Sequence, residues 1–381
     1  SIFALGDQTK VAYFMNMGSA LASAFTILFL FWTITALAKK ILIKGNDEIP
    51  VAKLISIMGA GIVGALAYTF SDSFWFSAVE SEVYALSSLF TALVFWAIFK
   101  WEAIAEQHGA DKWLLFIAYI MGLSIGIHLL NLLTIPAIAF VYYFKKTPQI
   151  STAGIIKTFF IGILILAVIQ FGIIQYLIST GAQFDLFFVN TLGLGFGSGV
   201  VVFAILLIGS LIYGIRYSIK QQRRLLNLGL LAVSLIIFGY CSFAMIVIRA
   251  QADPNLNNND PDNAFSFLGY LNREQYGDRP LLSGPNFNSN PVDIKEGGNI
   301  YRKGADKYEI ATVKRSYVYD KTTLFPRMHG DRDGHAGFYK DWMRLDEGHF
   351  PGVIDNIGFL FSYQIGHMYL RYFMWNFAGR Q

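Results

Sequence analysis

The stretch Gly154–Ile178 has the sequence GIIKTFFIGILILAVIQFGIIQYLI and contains a single charged residue, Lys157. About 20 consecutive apolar residues are enough for an α-helix to cross the hydrocarbon core of a bilayer. Of the 381 residues in the chain, 54% are hydrophobic and only 15% are charged, whereas about a quarter of the residues of a soluble domain are charged. The sequence therefore predicts an integral membrane protein.

Charge and cysteine content exclude several other classes of protein. The chain has 30 Lys and Arg against 26 Asp and Glu, a net charge of +4. The basic residues are sorted between loops and do not form one patch, so nucleic acid is not an indicated partner. Cys241 is the single cysteine, which excludes a disulfide scaffold and a cysteine-rich metal site.

Gly154–Ile178 belongs to one of eight apolar segments before residue 250. Two of them, the fourth and the fifth, are short, and the sequence between them has no loop-like length, which also fits a re-entrant pair. We predict an all-α polytopic membrane protein with about eight transmembrane helices and a small extracytoplasmic segment. The segments cover residues 13–38, 52–71, 84–99, 113–127, 129–144, 154–178, 198–215 and 225–248.

The composition changes sharply near residue 250. Residues 1–250 are predicted to form a transmembrane helical bundle, and residues 251–351, rich in Asn, Asp, Gly, Pro, Lys and Arg, a polar extracytoplasmic segment. Residues 352–381 are aromatic and are predicted to form an interfacial or re-entrant helix. In this helix four side chains recur at a spacing of four residues and would share one face. They are Phe359, Tyr363, His367 and Arg371.

The distribution of charge predicts an orientation. Between residues 11 and 248, every Lys and Arg lies in one of four alternate connections or in the first turn of the span that follows it, and the positive-inside rule places these four connections in the cytoplasm. The intervening connections contain acids but no Lys or Arg, so they and the 251–351 segment are expected outside, in the periplasm of a bacterial inner membrane. The basic residues are Lys39, Lys40, Lys44, Lys53, Lys100, Lys112, Lys145, Lys146, Lys157, Arg216, Lys220, Arg223 and Arg224.

One outward connection carries the candidate catalytic acids Asp72, Glu80 and Glu82. Carboxylates at the end of a membrane helix are costly to desolvate and usually face water, a polar cavity or a partner. If this stretch were helical, Glu80 and Tyr84 would share a face and Glu82 would point about 200° away. At most one of the two glutamates would then face a cavity. The alternative is that these acids only mark the non-cytoplasmic end of a span.

Candidate binding residues lie on the same predicted side. His128 and Asn131 form a polar pair suited to a phosphate or a sugar hydroxyl, although a lone histidine in a membrane protein more often serves helix packing. Arg249, Arg273 and Arg279 follow the last membrane exit, where arginine binds lipid phosphate bidentately. Surface salt bridges within a small subdomain are the alternative for these arginines.

For three further motifs we predict no binding or catalytic site. The glycine series of residues 193–199 does not follow a strand of a βαβ unit, so we predict an outward loop without a dinucleotide site. The Asp331–His335 stretch lacks the distal glutamate of a calcium loop and is predicted to be a turn. The irregular spacing of His329, His335 and His349 does not indicate a zinc site, and we assign no metal ligand.

Four stretches together resemble one family of membrane proteins. They are residues 77–88 (SAVESEVYALSS), 122–131 (GLSIGIHLLN), 270–280 (YLNREQYGDRP) and 369–381 (YLRYFMWNFAGRQ). They are similar to a large group of multi-spanning proteins, abundant in Bacteroidota and labelled a domain of unknown function, that resembles the animal protein O-mannosyltransferase acting on plexin-type receptors. The resemblance covers nearly all of the chain.

The resemblance implies a GT-C type glycosyltransferase. Such an enzyme takes a sugar, for example a hexose such as mannose, from a polyprenyl-phosphate carrier and transfers it to a protein or glycan on the outer face of the membrane. Family members carry an Asp-Cys-Gly-Glu-like motif in the first outward loop, before the part corresponding to Asp7, and this sequence lacks it. Either the chain is a fragment of a longer protein, as we expect, or this copy has lost its principal acid.

The resemblance leaves several partners and alternatives open. The expected partners are the bilayer, the polyprenyl-linked sugar, the acceptor and other subunits of a membrane complex, and a divalent metal is an open cofactor. The main alternative is a non-catalytic membrane subunit that anchors a periplasmic assembly. A transporter is less favoured, because the chain has no internal repeat and almost no charged residue in the middle of a span.

Overall fold

The computed structural model describes residues 2–43, 49–274, 280–330 and 332–379. They fall into two compact units. The first, called the bundle unit here, comprises Ser1–Phe184 and Gly197–Asn258. The second, called the hairpin unit, comprises Asp185–Phe196 and Asn259–Gln381.

Eleven helices, separated by short connections, are described between residues 11 and 250. A π-helical stretch, Val168–Tyr176, joins the seventh helix to the eighth. Short 3-10 turns precede the sixth helix, at Leu129–Thr134, and the eleventh, at Cys241–Phe243. The helices are α1 (Val11–Leu42), α2 (Val51–Thr69), α3 (Asp72–Val79), α4 (Val83–Ile104), α5 (Lys112–Ile125), α6 (Ile135–Lys146), α7 (Thr152–Ala167), α8 (Leu177–Asn190), α9 (Ser198–Lys220), α10 (Arg224–Tyr240) and α11 (Ala244–Ala250).

Six helices among the described residues are long and apolar enough to cross a membrane. This confirms a mostly helical, multi-pass membrane protein. The fourth and fifth predicted segments are also helical, but α5 has only 14 residues and α6 only 12, so the count of eight spans stays a prediction. The six helices are Gln8–Leu42, Val51–Thr69, Val83–Ile104, Thr152–Asn190, Ser198–Lys220 and Arg224–Ala250.

The core of the bundle unit includes one face of α4. Val94, Ala97, Ile98 and Trp101 are completely buried, and their spacing of three and four residues places them on one side of the helix. The indole of Trp101 stacks on Tyr142 of α6, with ring centroids 5.2 Å apart. This face of α4 therefore anchors the shorter helices.

Two glycines allow α5 and α10 to pack closely. A Cβ atom at Gly122 would overlap the carbonyl oxygen of Ile236, and one at Gly239 would lie 2.6 Å from the backbone nitrogen of Leu123. Small residues at such crossings let helix backbones approach within the membrane. The α5–α10 contact therefore depends on the absence of side chains at these two positions.

Ion pairs join helix ends in the connections that the charge pattern assigns to the cytoplasm. Each pair links residues distant in sequence, so it ties different helices together. Because the charges are partly exposed, each pair contributes little to stability by itself. The pairs are Lys40 with Glu102, Lys146 with Glu106 at 3.0 Å, and Arg224 with Asp111 at 2.7 Å.

The hairpin unit contains a β-ribbon that the sequence analysis did not predict. Strands β2 (Pro291–Lys303) and β3 (Tyr308–Tyr319) pair antiparallel, and short strands β1 (Ser283–Gly284) and β4 (Thr323–Leu324) form a second pair. The residues of β3 are mostly β-branched or aromatic, as strands prefer. Most side chains of the ribbon are exposed, so the apolar alternation that identifies a half-buried strand is weak here.

Helices of the hairpin unit follow and precede this ribbon. Helix α12 (Ala264–Leu271) precedes it, and α13 (His335–Met343) follows it. The last described helix consists of α14 (Val353–Phe359), a π-helical stretch (Leu360–Leu370) and α15 (Arg371–Met374). Residues 353–374 of the predicted aromatic segment are therefore helical, whereas the interfacial or re-entrant position of the segment stays a prediction.

Candidate functional site

A short aromatic helix carries the first predicted acid. Asp72 is half-buried in the first turn of α3, where a carboxylate interacts favourably with the helix dipole. The carbonyl of Ser71 accepts the N–H of Trp75 at 3.0 Å. Phe74 is buried, with its ring 4.3 Å from that of Tyr68, while Trp75 is exposed. Phe74 therefore anchors α3 to the bundle unit.

Glu80 and Glu82 lie in the three-residue connection between α3 and α4. Both have extended backbone conformations and both are exposed. The shared helix face of Glu80 and Tyr84 required a continuous helix, and this condition is not met, because the helix is broken between Val79 and Val83. The separation of about 200° that a continuous helix would impose therefore does not apply to these two carboxylates.

The structure brings Tyr84 next to His128. Tyr84 lies in the first turn of α4, two residues after Glu82, and its ring centroid is 5.8 Å from that of His128. The Nδ1 atom of His128 accepts the N–H of Leu130 at 3.1 Å, so the neutral imidazole carries its proton on Nε2. Tyr84, which closely follows the acidic connection in the sequence, thus lies beside His128 at one end of the bundle unit.

A buried polar clamp holds the backbone of the His128 turn. The carbonyl of Ser124 accepts the N–H groups of Ile127 at 2.9 Å and of His128 at 2.7 Å. The Ser124 hydroxyl accepts a hydrogen bond from Nδ2 of Asn131 at 3.2 Å, and both side chains are fully buried. The two residues of the predicted pair therefore have different environments, because the His128 side chain is partly exposed and the Asn131 side chain is fully buried.

Two buried polar atoms near this turn have no hydrogen-bond partner among the residues that the structure describes. They are Oδ1 of Asn131 and Oγ of Ser87, which lies one turn after Tyr84 on α4. Buried polar groups without partners are uncommon in folded proteins. Ser87 was not a candidate in the sequence analysis, because a serine within an apolar helix gives no signal of its own.

An apolar cavity of about 470 Å³ borders the same turn. Gln170, in the π-helical stretch before α8, supplies its only hydrogen-bonding side chain. The cavity suits a hydrocarbon chain better than a polar ligand. Its lining residues are Leu129, Leu130, Leu132, Leu133, Ile163, Leu166, Ala167, Gln170 and Phe171.

The predicted phosphate-binding arginines lie in different parts of the chain. Arg249 is exposed in the last turn of α11, in the bundle unit. Arg273 is exposed after α12, in the hairpin unit, and has a left-handed backbone with φ 55°. Arg279 lies outside the described residues. Their joint role in binding a phosphate therefore stays a prediction.

The histidines of the polar segment have separate environments. His335 begins α13, and Nε2 of His349 lies 3.0 Å from a carboxylate oxygen of Asp355. Burial raises the pKa of the Asp355 carboxyl, but the hydrogen bonds from His349 and from the backbone N–H of Gly352 together outweigh it, so the pKa lies below its usual value. Within the described part of the chain, no group of three His, Cys, Asp or Glu side chains is placed to bind a metal ion.

Asp185 has a defined partner that the sequence analysis did not identify. Its buried carboxylate accepts a hydrogen bond from the Tyr308 hydroxyl at 2.7 Å. Asn190 binds the backbone of Tyr308 twice, accepting its N–H at 2.8 Å and donating to its carbonyl at 2.7 Å. Burial, and then the hydrogen bond to Asp185, raise the pKa of Tyr308. These residues lie more than 110 positions apart, so no local pattern could pair them.

Comparison with known families identifies a relationship for the first part of the chain. Residues 1–151 match the model of the protein O-mannosyl-transferase TMEM260 N-terminal domain, and residues 277–361 match the model of DUF8416, a family of unknown function. Searches of curated proteins and of solved structures found no match. The similarity of residues 1–151 to a family of protein O-mannosyltransferases, together with the six membrane-spanning helices, supports a membrane glycosyltransferase.

Proposed function

We propose that the protein is a GT-C type glycosyltransferase. It transfers a sugar, a hexose such as mannose, from a polyprenyl-phosphate donor to a protein or glycan acceptor on the outer face of a bacterial inner membrane. The match of residues 1–151 to a protein O-mannosyltransferase domain carries this proposal. The matched range includes Asp72, Glu80, Glu82 and the turn that holds His128.

The acidic connection supplies the kind of group that the reaction requires. The acceptor hydroxyl attacks the anomeric carbon, its proton passes to a carboxylate acting as general base, and the bond between that carbon and the phosphate oxygen breaks. Glu80 and Glu82 are both exposed at the start of α4. In this proposal one of them, or an acid in a preceding loop, takes the proton, and the others position the acceptor.

The His128 turn supplies hydrogen-bond donors for the other substrate. The leaving phosphate gains negative charge as the bond breaks, and donors or cations placed there stabilise it. The Nε2–H of neutral His128 and the hydroxyl of Tyr84 lie at the same end of the bundle unit as the acids. The adjacent apolar cavity offers room for part of a prenyl chain. Arg249, Arg273 and Arg279 remain candidates for neutralising the phosphate.

Transfer of radiolabelled mannose from polyprenyl-phosphate-mannose to endogenous acceptors tests this function. The protein is expressed in membranes of a strain that lacks the gene, and Glu80→Gln and Glu82→Gln are compared with the parent. We expect at least one of these substitutions to lower the transfer rate roughly 100-fold, the upper part of the range for loss of a proton-transfer group. Protein amount and the elution volume in detergent verify folding.

Glu106→Gln is the matched control for these variants. Glu106 is also an exposed glutamate of the bundle unit, but it pairs with Lys146 after the opposite end of α4. Glu106→Gln should leave the transfer rate within about twofold of the parent, because a partly exposed ion pair contributes little to the stability of the fold. Absence of transfer by the parent protein with polyprenyl-phosphate-linked mannose, glucose and N-acetylglucosamine would contradict the function and favour a non-catalytic subunit.

A further inference from the structure

Apolar side chains recur along one side of the last described helix and of the turn that follows it, and all but the half-buried Ile365 are exposed. Five side chains recur every four residues, and we call them the outer ladder. Phe361 is 62% exposed and Tyr369 is 63% exposed. Ring contacts continue along the series, at 6.3 Å between Tyr369 and Phe373 and at 5.6 Å between Phe373 and Phe377. The outer ladder consists of Phe361, Ile365, Tyr369, Phe373 and Phe377.

A second series occupies the opposite side and is already covered. Phe359, Tyr363 and His367 stack on one another and pack against α13. The ring of Tyr363 lies 4.8 Å from that of Phe338, and the ring of His367 lies 5.0 Å from that of Trp342. Helix α13 therefore covers the first three of the four residues that spacing placed on one face, and the outer ladder faces away from it.

The hairpin unit is tied directly to the end of a membrane-spanning helix. Its Asp185–Phe196 segment includes the end of the Thr152–Asn190 span. Asp185 and Asn190 hold Tyr308 by three hydrogen bonds. A bilayer surface is therefore the apolar medium that this unit necessarily has within reach.

The end of the helix has the side chains of a membrane interface. The guanidinium of Arg371 lies over the rings of Tyr372, at 5.2 Å, and of Trp375, at 5.1 Å. Tyr and Trp concentrate at the level of lipid headgroups, and arginine favours anionic ones. We propose that the outer ladder binds the bilayer surface, with Phe361 and Tyr369 inserted below the headgroups and the helix lying in the plane of the membrane.

Depth measurements in nanodiscs test this proposal. The full chain, in a Cys241→Ala background, is reconstituted in phosphatidylcholine and phosphatidylglycerol (3:1) and labelled with a polarity-sensitive fluorophore at Phe361→Cys or Tyr369→Cys. Asp341→Cys is the matched control, because Asp341 is exposed on α13 in the same unit. We expect blue-shifted emission at the two ladder positions, and quenching by nitroxide-labelled acyl chains roughly threefold stronger than at the control, as interfacial burial requires.

Two results would overturn the proposal. Emission and lipid quenching equal to those of the control at both ladder positions would show that the ladder faces water. Energy transfer between labelled chains, without lipid quenching, would show that a second copy covers the ladder. Two separate label positions protect the test against a local folding defect at one of them. The measurement does not involve sugar transfer, so its outcome is independent of the proposed function.

Discussion

At the scale of single residues, Tyr308 contacts several residues that are distant from it in the sequence. Its hydroxyl binds the buried carboxylate of Asp185, and its backbone binds the amide of Asn190. The ring also meets Phe196 and Phe265 edge-on, each with centroids 5.0 Å away. Tyr308 is the first residue of β3, so its contacts join this strand to the end of a membrane-spanning helix.

Tyr308→Phe should therefore destabilise the protein at neutral pH. The substitution keeps the ring and removes the hydroxyl that donates to the buried Asp185 carboxylate, and a hydrogen bond to a charged group contributes about 1.5–3 kcal/mol. Thermal unfolding in detergent, followed by intrinsic fluorescence, measures the effect. Tyr317→Phe is the control, because Tyr317 is 63% exposed on the same strand. Equal midpoints for the two variants would contradict the assigned role of Tyr308.

The raised pKa of Tyr308 adds a prediction at high pH. Because burial and the bond to Asp185 hold its proton in the folded state, the unfolded tyrosine ionises first as the pH rises through about 10. The folded state then binds more protons than the unfolded state, so stability falls with pH. Tyr308→Phe lacks this contribution. The difference in the midpoint of thermal unfolding between the parent and this variant should therefore shrink between pH 8 and pH 11. A constant difference would refute the link.

At the scale of elements, the contact between α5 and α10 depends on backbone approach. Both helices are strongly apolar, yet hydrophobicity does not choose a partner within a bilayer, because lipid chains are equally apolar. The choice comes from shape, since Gly122 and Gly239 leave room for the facing backbone. The same contact orients the His128 turn, which directly follows α5.

Gly239→Ala should separate these two helices. The new Cβ would lie 2.6 Å from the backbone nitrogen of Leu123 and 2.7 Å from the carbonyl oxygen of Tyr119, and overpacking of this kind costs about 1–3 kcal/mol. We expect a lower midpoint of thermal unfolding. Gly229→Ala, on the same helix with no atom within 4 Å of the added Cβ, should be neutral or slightly stabilising. A neutral Gly239→Ala would show that the helices are not in contact there.

At the scale of the whole molecule, charge and hydrophobic length act together. Ion pairs join helix ends at the basic connections, whereas the acidic connections carry no Lys or Arg. This asymmetry predicts one orientation of the chain in the membrane. The β2–β3 ribbon would lie on the outer side and the α9–α10 connection in the cytoplasm.

Labelling in intact cells tests this orientation. In a Cys241→Ala background, Thr312→Cys on the ribbon should react with a membrane-impermeant maleimide applied from outside. Gln221→Cys, at the end of α9, should react only after the cells are permeabilised. Both positions are exposed to solvent, so differences in burial do not explain a difference in labelling. The reverse pattern would invert the proposed topology and place the acidic connection in the cytoplasm.

Composition and hydrophobic length alone were enough to predict a multi-pass helical protein. Every backbone polar group in a bilayer must be satisfied within its own segment, so long apolar runs leave the helix as the available structure. The i+4 series of Phe359, Tyr363, His367 and Arg371 was likewise predicted from spacing. Its first three members lie together and pack against α13, whereas the guanidinium of Arg371 lies over the rings of Tyr372 and Trp375.

Tertiary structure alone decided how the candidate site is assembled. No local pattern in the sequence predicts three contacts, because each joins separate turns or elements. They are the ring contact of Tyr84 with His128, the hydrogen bond from Asn131 to Ser124, and the hydrogen bond from Tyr308 to Asp185. The break at Glu80–Glu82 and the exposed β2–β3 ribbon were also missed, because neither carries a strong hydrophobic period. Local pattern determines which segments enter the membrane, whereas packing between distant segments determines which polar groups meet.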